Sequence, residues 1–339
     1  MSTTLYRKYR PKTFAELESQ EHVIRTLQGA LSSGRVGHAY LFCGPRGTGK
    51  TTMARLFAKV INCEKRTTKT EPCNVCSSCI AINESRSLDL IEIDAASNRG
   101  IDEIRNLKEA AGTAASSSRY KIFIIDEVHM LTKDAFNALL KTLEEPPSHI
   151  VFILATTEPH KVLETILSRV QRFDFRKIDK KEIISKLKKI AVAEKLTIDD
   201  ESLELIAASA SGSMRDAESS LGKVMAFVQD KITADQTAII LGVIPERTHA
   251  EFLKNILDKK SSDALAQIAT LYESGVNLEQ FCVQFILFMR RKLVDSLTSN
   301  SDPKPLVKII EQFMKAKSEL KSSPIPQLPL ELAVIELTK

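Results

Sequence analysis

The 339-residue chain lacks any apolar run approaching the ~20 residues that cross a bilayer. Its opening residues, Met1 to Arg10, are basic but carry no apolar stretch of the kind that makes a secretory signal. Export and membrane insertion are therefore not expected, and the cytoplasm is. There is no internal repeat and no low-complexity tail in these 339 residues, and the lack of a repeat sets aside solenoids. Neither charge sign dominates. With 48 Lys and Arg against 43 Asp and Glu, the formal net charge is +5. That balance permits contact with nucleic acid without arguing for it. Hydrophobic content of 43% and charged content of 27% are those of a soluble globular protein, long enough for two or three domains. Only six cysteines occur, and four of them cluster, which in a reducing compartment suits metal ligation better than disulfides.

What is present is organised around Gly44-Pro45-Arg46-Gly47-Thr48-Gly49-Lys50-Thr51, which matches GxxxxGK[ST] at every fixed position. A short buried strand, residues 39–43, precedes it, and a helix from Thr52 to Ile61 follows. The glycines let several N–H groups face one phosphate, and the helix N-terminus adds its partial positive charge. Lys50 is placed to reach the β- and γ-phosphates of a nucleotide, and the Thr51 hydroxyl to hold Mg²⁺.

Upstream, Tyr6-Arg7-Lys8-Tyr9-Arg10-Pro11 is a basic, aromatic start, suited to nucleic acid or to packing over the base of a nucleotide. A helix follows from Glu21 to Leu31. Downstream, residues 88–94 read as a second strand and Ile101 to Ala111 as a helix, with a loose connection over residues 114–119. Lys121-Ile122-Phe123-Ile124-Ile125-Asp126-Glu127 reads as a buried parallel strand ending in two carboxylates. A helix from Asp134 to Glu144, a strand over residues 150–155 and a fifth strand over residues 172–175 complete an alternation that implies a parallel, three-layered α/β sheet. After Asp179 the strands stop and the pattern is helical to Lys339. Asp199 is suited to cap one helix and Pro329 to the first turn of the last, with loops at residues 298–305 and 322–329.

A carboxylate at the end of a hydrophobic strand is where such a sheet presents groups to its ligand. Asp126 is expected to hold Mg²⁺ and Glu127 to activate an attacking water, making the site hydrolytic. Thr157, after the fourth strand, is suited to sense a γ-phosphate or simply to satisfy a turn. Spacing alone cannot bring Arg169 or Arg215 to a phosphate.

Cys63-x₉-Cys73-x₂-Cys76-x₂-Cys79 supplies four thiolates in one excursion, residues 63–87. That suits a closed, structural Zn²⁺ site. The iron–sulfur alternative is disfavoured because Ile80-Ala81-Ile82-Asn83 follows Cys79 where a ferredoxin continues C-x₃-C-P. Cys43 and Cys282 lie among apolar residues and read as core.

These motifs together resemble the AAA+ ATPase subunits of bacterial clamp loaders, the gamma/tau family of DNA polymerase III. The resemblance runs through residues 5–14, the phosphate loop, the four cysteines, Asp94-Ala95-Ala96-Ser97-Asn98-Arg99-Gly100, Asp126-Glu127-Val128-His129, residues 136–147 and Leu154-Ala155-Thr156-Thr157-Glu158-Pro159. It covers residues 1–240 and continues more weakly to the end. It implies an AAA+ ATPase core over residues 1–178 with the zinc module at about 63–87, a helical lid over 179–240 and a helical oligomerisation collar over 241–339. It implies ATP with Mg²⁺ held on the phosphate loop and Thr52, Thr157 as sensor 1 and Arg215, in Gly212-Ser213-Met214-Arg215-Asp216, as sensor 2. Arg169 would complete the ATP site of a neighbouring subunit in trans; Val170 stands where the family's Ser-Arg-Cys motif has its Cys. Arg99 and Arg105 would face DNA phosphates.

The resemblance further implies a five-membered ring with delta and delta-prime subunits, a sliding clamp (beta) as client, primer-template DNA as trigger, and a cytoplasmic, nucleoid-associated place of work. It implies an ATPase that has no polymerase chemistry of its own. The main alternative is another AAA+ DNA-processing ATPase, of branch-migration or initiator type, which the cysteine insertion disfavours. Ending at Lys339, the chain resembles the family's shorter form, so helicase and polymerase tethering is not carried over.

Overall fold

The computed structural model describes residues 4–66, 68–228, 231–298 and 302–339. The first three residues of the basic start and residues 299–301 of the expected loop at 298–305 lie outside that range. The chain divides into two compact units, residues 1–195 with 210–222, and residues 196–209 with 223–339.

The first unit contains α1 (Leu5–Lys8), α2 (Glu21–Ser33), β1 (Ala39–Cys43), α3 (Lys50–Ile61), α4 (Ser77–Asn83), β2 (Leu90–Asp94), α5 (Ile101–Ala111), β3 (Lys121–Asp126), α6 (Lys133–Glu144), β4 (Ile150–Thr156), α7 (Glu164–Leu167), β5 (Gln171–Asp174) and α8 (Lys180–Ala193). The five strands form one parallel sheet in the order β2-β3-β4-β1-β5. Central strands β1 and β4 are buried throughout, as is β3 up to Asp126, because helices cover both faces. The period of two sorts their side chains. Leu41, Phe123, Ile125 and Leu154 pack with Ile104 of α5 and Phe136 and Leu139 of α6. Tyr40, Phe42, Ile124 and Ile153 pack on the other side with Val23 and Leu27 of α2 and Phe57 of α3.

Register places Cys43 beside Thr156 and Asp94 beside Asp126, so the strands end along one edge of the sheet. Chain order is broken at β1, which lies between β4 and β5. Ligands of open parallel sheets bind in the crevice at such a switch point.

Residues 114–119 are not the loose connection their small, polar composition predicts. The amides of Ser116, Ser117 and Ser118 all donate to the fully buried Asp89 carboxylate, at 2.6, 2.9 and 2.9 Å. Burial alone would raise that carboxyl, but the bonds prevail and lower it.

The second unit is helical: α9 (Asp200–Ser209), the end of α10 (Met214–Phe227), α11 (Ala234–Leu241), α12 (Glu246–Leu257), α13 (Ser261–Glu273), α14 (Leu278–Thr298), α15 (Lys304–Leu320) and α16 (Leu328–Thr338). The expectation that strands end at Asp179 needs one correction. Thr197–Ile198 (β6) and Lys231–Ile232 (β7) pair in parallel, as segments too short to show any periodicity. Asp199 caps α9 by accepting from the Ser202 amide at 2.7 Å, and its other oxygen accepts from Ala234 at 3.2 Å. Phe252, Phe281, Phe285 and Phe313 form an aromatic core around which Cys282 and Met289 are buried. Pro329 stands in the first turn of α16.

Candidate active site and metal centre

The phosphate loop leaves the end of β1 and opens α3. Gly44 and Gly47 are there of necessity. Both have positive φ, +146° and +74°. A Cβ on Gly44 would strike the Phe175 carbonyl, and one on Gly47 would strike the Ser213 hydroxyl. The loop is closed on itself by Thr48 Oγ1 donating to Pro45 O at 2.8 Å. Lys50 is 5% exposed and its ammonium donates to the carbonyls of Gly44 at 2.7 Å and Pro45 at 2.9 Å. Burial lowers its pKa, against the pull of Glu127 and Asp126. It is a dehydrated cation held at the loop, ready to exchange weak carbonyl partners for anionic ones.

Three elements bring the remaining groups in. Thr51 Oγ1 donates to Asp126 Oδ2 at 2.9 Å, linking α3 to the end of β3. The next residue, Glu127, adopts the left-handed region at φ +48° before a 3₁₀ turn over Val128–Met130. Its Oε2 accepts from both the amide and the hydroxyl of Thr157, at 3.0 and 2.8 Å. His129, largely buried, bonds Thr156 Oγ1 at 2.8 Å and lies 3.4 Å from Glu127 Oε2. Sequence reasoning did not find His129 or Thr156; each is one residue of its type beside a motif.

A cleft of about 1110 Å³ opens beside this cluster, lined by Arg46 through Met53, by Asp126 and Glu127, and by Arg215. Thr52 is thus at the cleft with Arg46 to Thr51, whereas Gly44 and Pro45 do not line it and meet Lys50 through their carbonyls. Arg215 comes from the start of α10; the Met214 amide donates to Gly47 O at 3.0 Å, and the Arg215 guanidinium lies 4.9 Å over the Tyr6 ring. Tyr6, Arg10 and Pro11 line the same cleft. Glu218, one turn beyond Arg215, also faces it, and burial pushes its carboxyl up to about 7 against the pull of Lys186 and Arg10. Nothing in the sequence distinguishes Glu218 from other helical glutamates.

Arg169 lies elsewhere. Its Nε and one terminal nitrogen donate to Glu144 Oε1 at 3.0 and 2.6 Å, and it does not line the cleft. Arg99 and Arg105 are exposed near the start of α5, bonded to Ala96 O at 2.9 Å and Asp102 at 3.1 Å.

The four sulfurs of Cys63, Cys73, Cys76 and Cys79 lie within 4.8 Å of one another. A tetrahedral metal with bonds of ~2.3 Å requires sulfurs ~3.8 Å apart, and the Cys73–Cys79 pair is already at 3.9 Å. Amides of Cys73, Cys76 and Cys79 point at Cys63, Cys73 and Cys76 sulfurs at 3.3, 3.3 and 3.5 Å. Such donors favour thiolates. With the Val75 amide as the leading cause, Cys73 is brought down to about 6, whereas burial raises Cys79. The donor set fits a closed tetrathiolate site.

A phosphate loop, paired carboxylates at the end of β3, one strand removed from β1 in the sheet, and a helix delivering an arginine to the same cleft define a P-loop nucleotide site on an AAA+ type fold. The Thermotoga maritima RuvB Holliday junction branch migration motor shares that fold, with a TM-score of 0.51 at 22% identity, over 74% of this chain and 79% of that one. The family description "DNA polymerase III, delta subunit" matches residues 19–179, and "DNA polymerase III clamp loader subunit, ATPase lid domain" matches residues 182–239. The Buchnera aphidicola DNA polymerase III subunit gamma is 35% identical over 98% of this chain and 97% of its own length. The Bacillus subtilis subunit tau is 42% identical over 98% of this chain, and the Escherichia coli subunit tau 40% over 85%. The chain belongs to the gamma/tau family of DNA polymerase III clamp-loader subunits. It spans 62% of the Bacillus tau subunit and 44% of the Escherichia one.

Proposed function

We propose that this chain is an ATP-hydrolysing motor subunit of a clamp loader, using ATP to place a sliding clamp on primed DNA. The observation that carries the reading is the cluster at the loop: a dehydrated Lys50, Thr51 bonded to Asp126, and Glu127 held by Thr157. Lys50 and the loop amides would hold the phosphates, and Thr51 and Asp126 would hold Mg²⁺, which neutralises charge on the transferring phosphate when bound. Glu127 is the general base for water. In its present position its carboxylate is occupied by Thr157. A γ-phosphate that engages Thr157 competes for the same hydroxyl and frees Glu127, which makes hydrolysis respond to what fills the site. Arg215 is the lid's phosphate contact.

Arg169 acts in trans on a neighbour's ATP, which fits its absence from its own cleft. Partners are delta and delta-prime type subunits in a five-membered ring, the beta clamp and primer-template DNA, the last met by Arg99 and Arg105. The thiolates hold a structural Zn²⁺. The domain division is 1–178, 179–240 and 241–339, with ring contacts from the last. No helix among the described residues is long and apolar enough to cross a membrane, in keeping with a cytoplasmic, nucleoid-associated machine. The likeness to RuvB reaches only the fold, so branch migration is not favoured.

The deciding experiment is ATP turnover with candidate partner subunits, with and without clamp and primed DNA. Stimulation by both is expected, and Lys50→Ala abolishes turnover. Unstimulated turnover would overturn the clamp-loading reading, and full turnover in Lys50→Ala would overturn the site.

A further inference from the structure

The four-cysteine module makes contacts that a free-standing fold-stabilising knuckle would not need. Lys59, on α3, is 1% exposed, and its ammonium has three acceptors: Lys12 O at 2.7 Å, Asn74 Oδ1 at 2.7 Å and Asn83 Oδ1 at 2.8 Å. Two of the three belong to the module. Asn74 sits between Cys73 and Val75 in the left-handed region at φ +59°, and Asn83 ends α4, the helix that carries Cys79. A buried ammonium without acceptors is strongly unfavourable, so Lys59 stays where it is only while the module presents both amides.

A second contact reaches the same segment from the other side. Glu71, two residues before Cys73, accepts from the Phe14 amide at 2.9 Å and the Ala15 amide at 3.2 Å, capping the 3₁₀ turn Phe14–Glu16. Residues 12–15 are thus held by the module, while Tyr9 is tied at 2.7 Å to Glu194, the residue that follows α8. This segment borders the nucleotide cleft through Tyr6, Arg10, Pro11, Lys12 and Glu16. Lys59 itself lies on the helix whose first residues are Lys50 and Thr51.

We propose that the cysteine module anchors the N-terminal segment along the nucleotide cleft, with Glu71 and the Lys59–Asn74–Asn83 cluster as positioning residues, so that metal occupancy sets nucleotide affinity. The inference rests on the nucleotide-binding reading of the loop. Metal bound by the cysteines fixes the backbone of residues 73–83, which fixes Asn74 and Asn83, which seat Lys59 against the carbonyl of Lys12. Loss of metal frees the segment, and the cleft loses one wall.

The test uses the full chain with amide hydrogen exchange and titration of a fluorescent ATP analogue with Mg²⁺. Glu71→Ala leaves all four cysteines in place. It should keep one zinc per chain by metal analysis while the Phe14 and Ala15 amides exchange ~10-fold faster, the scale of losing a charged acceptor. The analogue's Kd should rise about threefold or more as the competent fraction falls. Glu71→Gln, which keeps a carbonyl acceptor, should lie between. Removing zinc from the wild-type chain with a chelator should reproduce both effects. Unchanged exchange at Phe14 and Ala15 in Glu71→Ala would overturn the proposal, as would faster exchange with an unchanged Kd. If the zinc-loaded wild type binds no analogue, the nucleotide reading fails, while the exchange data still decide whether the module anchors the segment.

Discussion

Glu127→Gln separates binding from chemistry at this site. The substitution keeps the side chain's shape and one carbonyl oxygen, which can still accept from Thr157, now bonded at 2.8 Å through its hydroxyl and 3.0 Å through its amide. Lys50, Thr51 and Asp126 are untouched, because none bonds the Glu127 side chain. What disappears is the ability to take a proton from water, the role proposed for Glu127. General-base catalysis is worth ~10²–10⁴ in rate, or ~3–5.5 kcal/mol of barrier. ATP turnover, measured with the candidate partner subunits, should therefore fall by that factor while nucleotide Kd changes less than about threefold, since only a transition-state interaction has been removed. Single-turnover hydrolysis and equilibrium binding measure the two terms separately. A rate within ~10-fold of wild type would refute the general-base role. An equal loss in binding would show that Glu127 holds the loop rather than the water.

Gly47→Ala places a side chain at φ +74°, with its Cβ 2.9 Å from the Ser213 Cβ, and presses on the Met214–Gly47 hydrogen bond. The left-handed conformation alone costs ~1–2 kcal/mol, so nucleotide affinity should fall at least ~10-fold by titration. Adding Ser213→Gly should recover the steric share, and no recovery would refute the contact. Arg169→Ala, assayed in the assembled ring, should cost ~10³ or more in turnover if its guanidinium completes a neighbour's site; unchanged turnover in the ring removes that role. The helical unit should be acid-labile. Burial brings His249 down to about 4, and its Nε2 has no partner among the described residues. As pH falls from 6.5 towards 4, the unfolded chain takes up a proton that the folded one refuses. Stability is then complete above pH 6.5 and loses up to about 3 kcal/mol by pH 4. Urea unfolding at pH 7 and 4.5 measures this, and His249→Leu should flatten the difference.

Much of this was legible before the fold. The apolar runs at residues 121–125 and 150–155 mark central strands because both faces are covered, and GxxxxGK[ST] after a strand leaves little else to be. The two lid strands were illegible because two residues carry no period. Residues 114–119 were misjudged because small polar residues look loose until a buried carboxylate such as Asp89 gathers their amides. Glu218, Glu71 and Lys59 are ordinary charged residues in sequence; only burial and the neighbours they meet make them distinctive.

The sequence by itself determined the class of site, because a phosphate loop, strand-end carboxylates and clustered thiols are local patterns whose chemistry depends on residue type and spacing. Tertiary structure decided how those groups are engaged. Asp126 comes within reach of Thr51 because β1 and β3 flank β4 in one parallel sheet, an order that no local spacing encodes. Glu127 meets Thr157 because β3 and β4 pair and end along the same edge of that sheet. The cysteine module is tied into the fold as well as being a candidate metal site, because Lys59, deep in the first unit, draws its acceptors from that module and from the segment bordering the cleft. Such long-range pairings arise from packing, where an unpaired buried charge is too costly to survive, and that cost leaves no pattern along the chain.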